Sequence, residues 1–283
     1  MKTIRIAGVP EHFNYPWHFA IENKLFEAAG IDLRWTDVPE GTGKMCQMLR
    51  EGIVDLSVIL TEGIVKDIIS GNNSKIVQIY VQSPLVWGIH VAANSQYHKL
   101  SDLENTKIAI SRIGSGSQLM AYVNAKNQHW NINQLEFKIV NTIDGAVGAL
   151  TEGIADYFMW ERFMTKPLVD RGILRHIADC PTPWPCFVIA VRDAILQDSI
   201  DAIMTILSII NQTTHTIKEV PYISKVIASK YQMQEDDIKD WLSSTEWSQQ
   251  QLEADMLNNV QNQLLELGLI DKKGTFAQIV QAL

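Results

Sequence analysis

The sequence predicts an α/β protein of two lobes, each a mixed sheet flanked by helices, followed by a helical C-terminal segment. Three observations carry this prediction. Short apolar β-type runs end again and again in Gly-rich turns that open helices, one short segment recurs in the second half, and everything beyond Asp193 reads as helix.

Residues 3–9 alternate and are apolar enough for a buried first strand, followed by an aromatic loop, Pro10-Glu11-His12-Phe13-Asn14-Tyr15-Pro16-Trp17. A helix over 17–29 stops at Gly30, and 31–36 form a second strand. The turn Gly41-Thr42-Gly43 opens a helix whose Met45, Met48 and Leu49 share one face before Gly52 closes it. A third strand over 53–60 discharges at Thr61-Glu62-Gly63 into a helix over 64–69, with Thr61 expected as its N-cap. Strands over 75–80 and 85–93 come next. The stretch 107–122 then repeats the theme: Ile108, Ala109 and Ile110, the turn Gly114-Ser115-Gly116-Ser117, and a helix marked by Leu119, Met120 and Val123.

The segment ending Leu49-Arg50-Glu51-Gly52-Ile53-Val54-Asp55 is echoed by Leu150-Thr151-Glu152-Gly153-Ile154-Ala155-Asp156. In both copies the glycine ends a helix and the aspartate enters a strand. This describes two related βαβαβ lobes; no shorter period marks a solenoid. The chain returns to the first lobe through a strand over 184–191, after the Pro-rich Cys180-Pro181-Thr182-Pro183-Trp184-Pro185-Cys186, so the expected division is 1–88 with 188–283 against 89–187. Helices over 195–217, 223–231, 238–241 and 249–267 complete the chain and are expected to pack on the first lobe without chemistry.

The 283 residues carry a net charge of −8 and no basic patch, which argues against a nucleic-acid groove or an anionic membrane surface. No apolar run reaches membrane-spanning length, so no membrane insertion is expected. MKTIRIAGVP leads straight into a strand without a signal-like h-region, and the three cysteines suit a reducing compartment; the expected location is cytoplasmic, or periplasmic or as a lipoprotein if a leader has been removed. The seven histidines show no metal-ligand spacing, no cysteines form a C-x-x-C pair, and neither a P-loop nor G-x-S-x-G is present, so neither a metal nor a cofactor nor a catalytic residue is assigned. His12 has two readings, a proton-transfer or ligand-binding residue and, more commonly, an exposed loop histidine.

The first backbone amides of a helix lack intrahelical partners and carry the positive end of the dipole, so the turns that open helices suit an anion or an oxygen-rich ligand end. Ser115 and Ser117 add donors; equally, Ser117 serves as a plain helix cap. The carboxylates of Glu62 and Glu161 add negative charge. Amides and carboxylates together fit a ligand with an acceptor end and a donor end. Tyr15, Trp17, Trp87, Trp160 and Trp184 are available to stack on a flat ring or to fill the core.

The order strand, aromatic loop, helix, Gly-Thr-Gly turn, helix, Glu-Gly-Ile-Val-Asp strand, Gly-Ser-Gly-Ser turn, Glu-Gly-Ile-Ala-Asp strand and Trp160-Glu161 resembles the type II periplasmic-binding-protein fold. Within that fold it is most similar to the nitrate, sulfonate, taurine and thiamin-pyrimidine-precursor binding group. The resemblance implies a solute-binding protein whose lobes close on an anionic or heterocyclic small molecule, such as a sulfonate or a pyrimidine-like compound, with an ABC permease as one candidate partner. It implies a site made of Asn14, Tyr15, Gly41, Thr42, Gly43, Thr61 and Glu62 from the first lobe and Ser115, Gly116, Ser117, Trp160 and Glu161 from the second. The thiamin-pyrimidine synthases of this fold carry a cysteine cluster that this chain lacks. Two alternatives stand beside transport: a cytosolic enzyme on the same scaffold, such as a dehydratase or lyase with Glu62 or Glu161 as acid or base, and a ligand sensor without a transporter.

Overall fold

The computed structural model describes residues 1–283. Its strands are β1 Lys2–Gly8, β2 Ile31–Asp37, β3 Leu56–Leu60, β4 Ser74–Val81, β5 Val86–Ala92, β6 Lys107–Ile110, β7 Glu136–Ile139, β8 Tyr157–Glu161, β9 Leu174–Pro181 and β10 Phe187–Arg192. Its helices are α1 Tyr15–Glu22, α2 Leu25–Ala28, α3 Thr42–Glu51, α4 Thr61–Ile69, α5 Gly116–Asn127, α6 Ile143–Thr151, α7 Arg162–Asp170, α8 Asp193–Asp198, α9 Ile200–Thr216, α10 Ile223–Tyr231, α11 Glu235–Ser244, α12 Ala254–Glu266 and α13 Phe276–Ile279. The chain divides into two compact units, residues 1–83 with 184–283 and residues 84–183. These limits replace the 88/89 and 187/188 crossings read from the sequence. Trp87 and Gly88, at the start of β5, pair with Glu161 and Trp160 of β8 and with Cys180 and Asp179 of β9, which keeps the whole strand in the second unit.

Unit 1 holds a five-stranded sheet in the order β2-β1-β3-β10-β4. β1 runs parallel to β2 and β3, whereas β10 is antiparallel to β3 and β4. Leu56 and Val58 on one face of β3 and Ile59 on the other are all buried, as befits a central strand covered on both sides. Unit 2 repeats the plan as β7-β6-β8-β5-β9, with β5 as its antiparallel member.

The repeated Asp explains why the two sheets start alike. Asp55 Oδ2 accepts the Arg5 amide at 2.8 Å while its own amide donates to the Arg5 carbonyl at 2.8 Å. Asp156 does the same for Lys107, at 2.7 and 2.8 Å. Each aspartate therefore fixes the register in which the strand it enters, β3 or β8, joins its parallel neighbour, β1 or β6. Gly52 and Gly153, with φ of 68° and 71°, make the left-handed turn that lets a helix end just before it.

Several expected elements differ locally. The 17–29 helix is split into α1 and α2 at Asn23 and Lys24, the latter left-handed at φ 57°. The 195–217 helix breaks at Ser199, with φ −151°. β9 has no counterpart in the sequence reading, because Arg175, His176 and Asp179 interrupt the apolar pattern of an edge strand. The C-terminal helices bury one face each, with Ile203, Ile206 and Ile210 of α9 and Val260 and Leu264 of α12 in the core. Each such side chain contributes roughly 1.5–3 kcal/mol of burial. No helix is long and apolar enough to cross a membrane.

Candidate functional site

In each unit, the carboxyl ends of the parallel strands lead into the turns that open helices, and most of the expected site residues lie there. In unit 1, Gly41 at φ 77° precedes the first turn of α3, which contains Thr42 and Gly43. The methyl of Thr42 lies against Gly63 of α4, so the starts of α3 and α4 are in contact. A Cβ at residue 63 would overlap that methyl. Gly63→Ala is therefore expected to cost about 1–3 kcal/mol in urea unfolding, and Thr42→Ser, which deletes the methyl, to restore most of it. Equal stabilities of Gly63→Ala in the two backgrounds would refute the contact.

Thr61 does not cap α4. Its hydroxyl donates at 2.6 Å to the Pro185 carbonyl, and its amide donates at 3.2 Å to that of Cys186, so it pins the chain entering β10. Glu62, in the first turn of α4 and 5 % exposed, accepts a hydrogen bond from Trp184 Nε1 at 2.8 Å. Burial pushes its pKa up to about 7, only partly offset by its backbone amide and Trp184, both of which favour the charged form. A carboxyl poised this way exchanges a proton near neutrality or receives a donor from a ligand.

Asn14 is buried at the start of α1; its Nδ2 donates to the Val9 carbonyl at 2.8 Å, and its Oδ1 has no partner. Tyr15 turns aside to Phe19 and Lys230, whose ammonium lies 5.9 Å from its ring centroid. His12 is not an exposed loop residue. It is fully buried among Phe13, Tyr231 and Trp241, and burial lowers its pKa to about 3, so it is neutral. Trp17 packs against Phe26, Trp35 and Tyr80 in the core.

In unit 2, Ser115 caps α5 by accepting the Gln118 amide, while Ser117 Oγ accepts the Ser111 amide at 2.9 Å and lies 3.0 Å from Ser115 Oγ. Gln118 Oε1 accepts the Gly114 amide at 2.6 Å. These bonds lock the turn. The amides of Gly116 and Ser117 begin the helix, where no preceding turn supplies an acceptor. Glu161 is 4 % exposed and accepts the Met164 amide at 2.7 Å, so it caps α7. Arg162 pairs with Asp179 and Lys166 with Asp170. Trp160 stacks on Phe158 at 5.5 Å and meets Trp87 edge-on at 6.2 Å.

A family model described as Ca3427-like PBP matches residues 87–180. Over the whole chain, the structure is similar to the CA3427 gene product of Candida albicans, described as defining a family with the generic periplasmic binding protein fold. Identity is 26 %, the TM-score is 0.89, and 99 % of this chain and 96 % of that one are covered. This chain has the type II periplasmic-binding-protein fold. The same fold is seen in the alkanesulfonate-binding protein SsuA of Xanthomonas axonopodis pv. citri bound to MOPS, with 15 % identity, TM-score 0.84 and coverage of 100 % and 99 %. It recurs in the periplasmic aliphatic sulphonate binding protein SsuA of Escherichia coli, with 16 % identity, TM-score 0.78 and coverage of 99 % and 92 %. No curated protein sequence matches the chain.

Two residues at the carboxyl edge of the type II sheet of unit 1 escaped the sequence reading. Trp184 appears there as a stacking candidate, not as the donor to Glu62. Glu11 follows β1, and enclosure of its carboxyl pushes its pKa up to about 7 even though part of the residue reaches solvent. The Pro-rich run at 180–186 was the available signal for the first. A glutamate inside an aromatic loop was the signal for the second.

Proposed function

We propose that the protein binds a small organic ligand without transforming it, and that the carboxyl-end edges of its sheets make the contacts. The observation that carries this reading is the start of α5: Ser115, Ser117 and Gln118 bond to the turn itself, which leaves the Gly116 and Ser117 amides as fixed donors with no acceptor of their own in the helix. A sulfonate or similar oxyanion end suits them, and the sulfonate-binding proteins of the same fold support that ligand class. Glu62 in unit 1 suits a donor end, such as an amine or a ring N–H. An ABC permease is the partner this reading calls for. Isothermal titration with alkanesulfonates, aminosulfonates and aminopyrimidines tests it. Binding of at least one class is expected, and Gly116→Asp is expected to weaken it tenfold or more, since a carboxylate at the first helical position repels an anion while favouring the helix. Silence across the panel from protein freed of bound ligand, or unchanged affinity in Gly116→Asp, would overturn it.

One observation favours a second reading, an enzyme on this scaffold. Glu62 is a buried carboxyl with its pKa near 7 beside a polarising donor, the arrangement that general acid–base chemistry uses. Turnover of a bound compound that disappears in Glu62→Gln would select it.

A further inference from the structure

At the edge of the unit 1 sheet opposite its helix-opening turns, where α3 ends, β4 begins and β10 runs into α8, Arg50, Asn73, Arg192, Asp193 and Gln197 line a cavity of about 470 Å³. None of these residues belongs to the proposed ligand contacts. Arg192, the last residue of β10, is the register partner of Ser74, the first of β4.

Two opposite charges meet here without hydrogen bonds. The Arg192 side chain is 26 % exposed, and its ionic neighbour, Asp55, stands 3.9 Å away, beyond hydrogen-bond reach. Asp55 is already engaged, since its carboxylate accepts the Arg5 amide and two N–H groups of the Arg5 guanidinium at 2.6–3.0 Å. Packing on the backbone holds the Arg192 guanidinium instead. A Cβ at Gly52 would lie 3.0 Å from Nη1 and Nη2 and 3.1 Å from Cζ, so the planar group lies across that glycine. The repeat has no such contact at Gly153, which meets nothing within 4 Å. The fork is therefore fixed in place with its donors uncommitted. Beside it in the chain, Asp193 Oδ1 is buried without a partner, in a residue that is itself partly exposed.

A guanidinium matches a carboxylate with parallel hydrogen bonds, and Arg50, which gives one N–H group to Asp67, adds a second cation to the same wall. The Asp193 carboxylate works against a bare anion and in favour of an ammonium group. The exposed side-chain amides of Asn73 and Gln197 add donors and acceptors at the rim. The volume is that of a small-molecule pocket. We infer that this cavity binds one small zwitterion of the amino-acid class, its carboxylate on Arg192 and its ammonium on Asp193. The site shares no residue with the turns that open α3, α4 and α5.

The test titrates ¹⁵N-labelled full-length protein with the common L-amino acids, β-alanine and 4-aminobutyrate, and reads amide shifts and calorimetric affinity. At least one compound is expected to bind with a Kd below about 1 mM and to move the amides of Gly71, Asn73 and Ala194. N-acetylation or carboxyl amidation of that compound is expected to weaken its binding at least tenfold. Asp193→Asn, an isosteric change to a carboxylate with no hydrogen bond to lose, is expected to keep the urea midpoint and weaken binding about tenfold. Arg192→Gln is expected to weaken it by more. No binding across the panel, shifts confined to residues 114–118, or unchanged affinity in either variant would overturn the site.

Discussion

Glu62→Gln is expected to stabilise the protein by about 3 kcal/mol at pH 8 and to change little at pH 4. The carboxyl titrates near 7 in the folded chain against an ordinary 4.5, so between these values the folded state holds a proton that the unfolded state has released. Stability therefore falls as pH rises from 4.5 through 7, and a shift of this size corresponds to about 3 kcal/mol at the alkaline end. Glutamine keeps an oxygen that accepts from Trp184 Nε1 but has no proton to lose. Urea midpoints of the two proteins should converge at pH 4 and separate steadily up to pH 8. Parallel curves across that interval would mean that Glu62 ionises without penalty, and the acid–base reading that rests on its raised pKa would fail with it.

The second large effect is expected at Asp55. Its side chain is 6 % exposed and accepts from the Arg5 amide and, at 3.0 and 2.6 Å, from the Arg5 guanidinium. The guanidinium, 42 % exposed, can return to water, so the ion pair alone is worth little. The Arg5 amide, inside β1, has no such escape. Asp55→Ala is expected to cost about 3 kcal/mol, and Arg5→Ala only about 1 kcal/mol. Asp156→Ala in unit 2 removes the same amide contact without an accompanying guanidinium and should fall between the two. Chemical denaturation of the three variants checks the ranking; an Arg5→Ala loss equal to that of Asp55→Ala would show that the charge pair, not the amide, does the anchoring.

What the sequence made legible is what local chemistry decides. Gly52 and Gly153 announce the ends of α3 and α6, the recurring Asp announces strand entry, and the Gly-Ser-Gly-Ser turn announces a capping serine, although the cap is Ser115 and not the expected Ser117. What it hid depends on distant partners. Thr61 has the right residue type for a cap, yet its hydroxyl is taken by the Pro185 carbonyl, which only the return of the chain to β10 brings near. Trp184 reads as a ring to stack or to bury, and its bond to the Glu62 carboxylate is made only by the fold. His12 had the pattern of an exposed loop residue, and only the packing of α10 and α11 over it makes it a buried neutral one.

The antiparallel member of each sheet has an unequal history during synthesis. Residues 84–183 are contiguous, so unit 2 can complete its sheet as soon as they leave the ribosome. Unit 1 cannot, because β10 separates β3 from β4 and arrives more than a hundred residues after them. Until then the nascent chain carries unjoined strand edges at β3 and β4, the surfaces most prone to pair with another polypeptide. Slowed elongation or premature termination before residue 187 should thus yield aggregates seeded by the amino-terminal half, while the inserted half folds normally.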